Sequence, residues 1–178
     1  AKDLSAGTLY VAKYTAELNE TSIAPIQWIK LGHATSKTID DLVNVRKIKA
    51  ENIFDSLTEA PQDATGYTQI ILDKKTLWIK LKEANNGFTK EEIELAAAFL
   101  ETHRYAALKG GSMAFTKMEG TTVNIKDKVA YSALANIQDS MIENTSSWVA
   151  THNVKFKKAI KAGGVLAHDL KGSMVDHV

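Results

Sequence analysis

The chain has no cysteine, which removes disulfide frameworks, thiolate zinc sites and cysteine nucleophiles at once. Its two prolines and ten glycines in 178 residues, set against 44% hydrophobic residues, exclude a collagen-like chain or a disordered tail. Arginine is nearly absent. Arg46 and Arg104 are the only two among 22 basic residues, so bidentate readout of phosphate or guanine is scarce. A formal net charge of +1 lacks the basic excess of a nucleic-acid binder, so no nucleic-acid partner is expected. No apolar run approaches the length that spans a bilayer, so no transmembrane segment is expected. The opening Ala1-Lys2-Asp3-Leu4-Ser5 lacks the basic-then-apolar layout of an export signal. Either the protein is intracellular or such a signal is missing from this chain.

What is present reads as strands with helical insertions. Thr8–Tyr14 and Ile26–Gly32 alternate, are rich in β-branched and aromatic residues, and are bounded by turn formers. From Thr38 to Glu59 the spacing of Ile39, Leu42, Val43, Ala50, Ile53, Phe54 and Leu57 predicts one helix, with Thr38 as its cap. Pro61 and Gly66 punctuate a loop. Tyr67–Leu72 and Leu77–Lys82 form the clearest hairpin, turning through Asp73-Lys74-Lys75-Thr76. Thr89 and Glu92 make a capping box for a helix running to about Leu108, and Gly110-Gly111 stops it. Further strands are expected at Thr121–Ile125, Val129–Leu134 and Val165–Leu170, with a polar loop over Asn144–Asn153.

Candidate sites are sparse. His33, His103, His152, His168 and His177 include no i, i+4 pair and no H-E-x-x-H, so each reads as a surface or hydrogen-bonded histidine. No G-x-S-x-G elbow, Walker loop or Rossmann triplet occurs. The run Lys155–Lys161 reads as a solvated basic face. Asn19-Glu20-Thr21 and Asn144-Thr145-Ser146 match the glycosylation pattern without a signal to give it meaning. There remains Lys117-Met118-Glu119-Gly120. A carboxylate beside glycine at a strand entry can bind a hard cation, and a lysine two residues earlier on an extended chain faces the same side, where it can meet a phosphate oxygen. On residue types alone, the same pair also reads as a surface ion pair.

Phe99–Gly110 followed by Phe115-Thr116-Lys117-Met118-Glu119-Gly120 resembles the central segment of PhoX-type alkaline phosphatases: an "AAFLE-x-RRYAA" helix, a short spacer, and a basic residue two positions before Glu-Gly. Gly7–Tyr14, Trp28–His33 and Val129–Ala133 are similar to further pieces of that family in its order, and Gly163–Leu170 extends the likeness. The resemblance implies a mainly β fold: about two blades of a six-bladed β-propeller, with residues 1–178 as one segment and helical insertions near 38–59 and 89–109. It implies a metal-dependent alkaline phosphatase, a hydrolase acting on phosphomonoesters to scavenge phosphate, exported to the periplasm or secreted. Calcium and iron are the implied cofactors, with Glu119 a metal ligand and Lys117 the phosphate contact.

The chain departs from that family in several ways. No cysteine matches the iron ligand of the better-known members. In Pro61-Gln62-Asp63, which is similar to the family's Arg-Pro-Glu-Asp corner, Gln62 stands where a carboxylate is expected. The expectation is therefore a fragment of a longer chain, inactive alone, whose partners are the remainder of that chain or another copy joined through open strand edges. The alternative is a non-catalytic β-rich module serving assembly, as in a filament or virion.

Overall fold

The computed structural model describes residues 5–72 and 75–171. It is mainly β, with 39% strand and 23% helix. The chain folds as two compact units: residues up to Val11 with Lys30–Lys109, and Ala12–Ile29 with the chain from Gly110 onward. Strands β1 (Ala6–Tyr14) and β2 (Ala24–Thr35) run through both. They belong to a curled five-stranded half-barrel sheet ordered β1-β2-β8-β7-β6, with β6 at Met118–Asn124, β7 at Val129–Leu134 and β8 at Gly164–Asp169. The expected strands are all present, and β1, β2 and β6 extend beyond their expected bounds. A propeller blade is a four-stranded sheet. Here the larger sheet has five strands and includes a parallel β2–β8 pair, Ala24↔His168 and Pro25↔Asp169, while a second sheet has three.

In the first unit that second sheet is ordered β3-β5-β4, from β3 (Phe54–Leu57), β4 (Thr68–Leu72) and β5 (Lys75–Leu81). The β4–β5 hairpin pairs Ile70 with Leu77 and Leu72 with Lys75. Of its expected turn, Asp73 and Lys74 lie outside the described residues, and Lys75 and Thr76 are already strand.

The single helix expected over 38–59 is corrected. The chain forms α1 (Ser36–Asp40), a π-helical turn (Asp41–Val45), α2 (Ala50–Ile53) and then β3. Thr35, not Thr38, is the cap; its hydroxyl accepts the Thr38 amide at 3.1 Å. The second half becomes a strand because Phe54, Asp55, Ser56 and Leu57 each find a partner on β5, from Leu81 to Trp78. Cross-strand pairing overrides the helical spacing.

The Thr89/Glu92 capping box is formed, each side chain meeting the other's backbone amide, at 3.2 and 2.9 Å. The helix it starts is interrupted, giving α3 (Lys90–Leu100) and α4 (Thr102–Leu108). At Glu101 the backbone leaves the helical region, and the Thr102 hydroxyl donates to the Ala98 carbonyl at 2.6 Å. Such back-bonding competes with the regular ladder. Ile93, Ala96, Ala97 and Ala98 are the buried face of α3, and β2 approaches it closely: a Cβ on Gly32 would stand 3.1 Å from that of Ala98. Gly110, with φ +80, ends α4 as expected.

The second unit has its own core, built by Tyr14, Leu18, Ile26, Leu134, Met141, Phe156 and Leu166 among others. The polar loop over Asn144–Asn153 holds a short 3₁₀ turn, Ala150–His152. Gly163 is closely enclosed by backbone. Its φ is +69, and a Cβ there would lie 1.9 Å from the Leu134 carbonyl oxygen.

Candidate functional site

The segment from Gly110 to β6 is held rung by rung within the second unit. The Ser112 amide donates to the Ala12 carbonyl at 2.9 Å. The Ser112 hydroxyl accepts the Tyr14 amide at 3.0 Å and donates to the His152 carbonyl at 2.7 Å. The Ser140 hydroxyl donates to the Ala114 carbonyl at 2.7 Å. Phe115 packs against the rings of Tyr14 and His168, at 5.7 and 6.5 Å between centroids. The Thr116 hydroxyl donates to the Asn136 carbonyl at 3.2 Å, and the Lys117 carbonyl accepts the Ala135 amide at 3.1 Å.

Tyr14 and His168 are 2% and 3% exposed, and their hydroxyl and Nδ1 lie 2.8 Å apart. Burial pushes the tyrosine pKa up and the histidine pKa down, so both are held neutral. A neutral phenol and a neutral imidazole share one proton across this contact, the histidine tautomer setting which atom carries it.

On this support Lys117 takes a left-handed backbone, φ +37, immediately before β6. Residues with a Cβ seldom adopt it, and such strain clusters where side chains are aimed for function. Glu119 follows inside a β-bulge. Met118 pairs with Leu134 and Thr121 with Ser132, so three steps on β6 match two on β7. A bulge re-aims the side chain it carries.

Lys117 and Glu119 are both exposed, and among the described residues neither makes an ion pair or a side-chain hydrogen bond. The surface ion pair between them is therefore not formed. The strict two-residue alternation expected of them also fails, because Lys117 precedes the extended chain and Glu119 sits in the bulge. β6 ends its sheet, with Met118 and Val123 about half exposed, at 48% and 49%.

Among the described residues no group of three or more His, Asp or Glu is placed to hold a metal ion. Calcium takes about six to eight oxygens, so the donors among the described residues do not fit a complete calcium–iron centre. Glu119 supplies one carboxylate.

His33, His103 and His168 fall as surface or hydrogen-bonded groups. His33 Nδ1 lies 2.8 Å from the Thr8 hydroxyl, His103 is exposed on α4, and His168 bonds Tyr14. His152 gives its carbonyl to Ser112; His177 lies outside the described residues. In the basic run, Lys155 pairs with Glu17 and Glu143 at 3.4 and 3.6 Å. Asn19 closes a local turn, its side-chain oxygen accepting the Thr21 amide at 2.9 Å.

Sequence reading missed the Tyr14–His168–Phe115 stack and the Ser112 bonds. Tyr14 and His168 are 154 positions apart, and no spacing rule connects them. Comparison with protein-family models, with curated proteins and with solved structures finds no match to this chain.

Proposed function

We propose that the chain is a segment of a metal-dependent alkaline phosphatase of the PhoX type, in which Glu119 donates to a calcium-containing centre and Lys117 contacts the phosphoryl group. The observation that carries the reading is that Lys117 and Glu119, the two residues the resemblance singles out, stand together on strained and bulged backbone with no side-chain partner among the described residues. Lys117 presents a mobile point charge rather than a fork, so it neutralises an anion without fixing its orientation. The consecutive antiparallel strands β6, β7 and β8 are a meander of the kind a propeller blade uses. In this reading the remaining ligands and iron donors lie outside these residues, and bound metal supplies charge neutralisation at the phosphoryl group.

The experiment is hydrolysis of a chromogenic phosphomonoester by the protein as isolated from its source, beside its Glu119→Ala and Lys117→Ala forms and the 178-residue chain alone. Loss of a single preorganised electrostatic contact costs about 10²–10³ in rate. Activity in the source protein, a loss of that order in each variant and no turnover by the short chain support the reading. An active Glu119→Ala form refutes it.

The second reading is the non-catalytic assembly module. It is favoured by the shortage of metal donors among the described residues and by the exposed terminal strand β6, an edge open to pairing with another chain. A metal-free, inactive source protein that associates through β6 would establish it.

A further inference from the structure

In the first unit, the turn leading into α3 combines a chemically labile bond with a structural clamp. Asn85 and Phe88 pair across two residues, with N–H···O distances of 3.1 and 2.8 Å. Asn86 and Gly87 between them have φ +49 and +80, the left-handed pair of a type I′ turn, which Asn-Gly favours.

Asn86 is the one asparagine in the sequence followed by glycine. The others precede Glu20, Asn86 or a β-branched residue, which crowds the following amide nitrogen. At Gly87 that crowding is absent, since glycine carries no side chain. The Asn86 side chain is exposed and has no hydrogen bond among the described residues. Asparagine is also among the thermolabile residues.

The Gly87 carbonyl accepts Arg46 Nη2 at 2.7 Å. The same guanidinium holds Glu92 through Nη1 at 2.5 Å and lies 4.8 Å over the Phe88 ring. Glu92 in turn caps α3 through the Thr89 amide.

We propose that Asn86–Gly87 is a site of spontaneous, backbone-assisted deamidation whose isoaspartyl product releases the Arg46 clamp at the start of α3. The Gly87 amide nitrogen gives its proton to solvent base and attacks Asn86 Cγ. The N–Cγ bond forms, the Cγ–Nδ2 bond breaks, and Nδ2 leaves as ammonia. Water then opens the succinimide at either carbonyl, giving aspartate or isoaspartate; nothing is oxidised or reduced. Isoaspartate places the side-chain methylene in the main chain, so Asn85 and Phe88 no longer face each other across two residues and the Gly87 carbonyl withdraws from Arg46. The new carboxylate competes with Glu92 for the guanidinium.

The test ages the 178-residue chain at mildly alkaline pH and follows the peptide Glu83–Lys90 by mass spectrometry, with Asn86→Gln, which lengthens the reacting side chain and leaves no asparagine before glycine, as the unreactive control. The expected result is the mass gain of replacing –NH2 by –OH, confined to that peptide and resolved chromatographically into aspartyl and isoaspartyl forms. Aged wild type should melt below fresh protein, and aged Asn86→Gln should match its fresh sample. Absence of conversion at Asn86, or conversion spread evenly over the other asparagines, overturns the site. Full conversion with unchanged melting overturns the release of the clamp.

Discussion

Replacing Lys117 by glycine should stabilise the fold while removing the charge proposed to meet phosphate. The Lys117 backbone sits at φ +37. Holding a residue with a Cβ in the left-handed region costs roughly 1–2 kcal/mol. Glycine lowers that cost but adds freedom to the unfolded chain, worth about 0.4–1 kcal/mol. The side chain contributes no ion pair or hydrogen bond to set against the gain. The balance favours Lys117→Gly by about 0.5–1 kcal/mol. For a chain of this size that raises the melting temperature by about 1–4 °C.

Lys117→Ala is the control. It removes the charge but keeps the Cβ, so its stability should stay within about 0.5 kcal/mol of wild type, as for an exposed position without contacts. Urea unfolding and thermal melting read both variants. A Lys117→Gly protein no more stable than Lys117→Ala would show that the position carries no backbone strain, and the inference from strain to a working site would fall with it.

The Tyr14–His168 pair makes stability fall at both ends of the pH range. His168 has its pKa lowered by burial, so its contribution is complete above the unfolded value of about 6.5 and is lost as pH falls below that toward the lowered folded value. Tyr14 has its pKa raised by burial, so its contribution is complete below about 10 and is lost as pH rises. Urea midpoints across pH should show both limbs, and Tyr14→Phe with His168→Phe should flatten them; a pair-free protein with the same profile contradicts the assignment. Gly163→Ala should cost about 3 kcal/mol, combining overpacking against the Leu134 carbonyl with a left-handed backbone, and a urea midpoint near wild type would contradict it. Thr89→Ala should lower stability by about 1 kcal/mol through loss of the α3 cap, read by the same urea titration.

The legible parts of the fold were those with local causes. Alternation marked β1, β2, β7 and β8. The pattern either side of Asp73 marked the β4–β5 hairpin, and Thr89 with Glu92 marked the start of α3. What stayed hidden depends on contacts made at a distance. Phe54 and Leu57 fit a helical spacing as well as a strand, and only their pairing with Leu81 and Trp78 on β5 decides between them. The interruption at Glu101 follows from a Thr102 hydroxyl that turns back on Ala98, a choice residue type alone leaves open. At the candidate site, the sequence placed Lys117 and Glu119 side by side but assumed an extended chain. The left-handed Lys117 and the bulge at Glu119 arise from how 114–118 is pinned along 134–140, including the Ala135 amide on the Lys117 carbonyl. Gly120 was the one local hint of irregularity.

The most direct test of the proposed phosphatase site is the metal content of the protein purified from its source, compared with that of its Glu119→Ala form. Calcium and iron should be present in the native protein, and calcium should be lost with the Glu119 carboxylate while the fold, followed by circular dichroism, is retained. A native protein that holds neither metal, or a Glu119→Ala form that keeps its calcium undiminished, would contradict the assignment of Glu119 and with it the phosphatase reading.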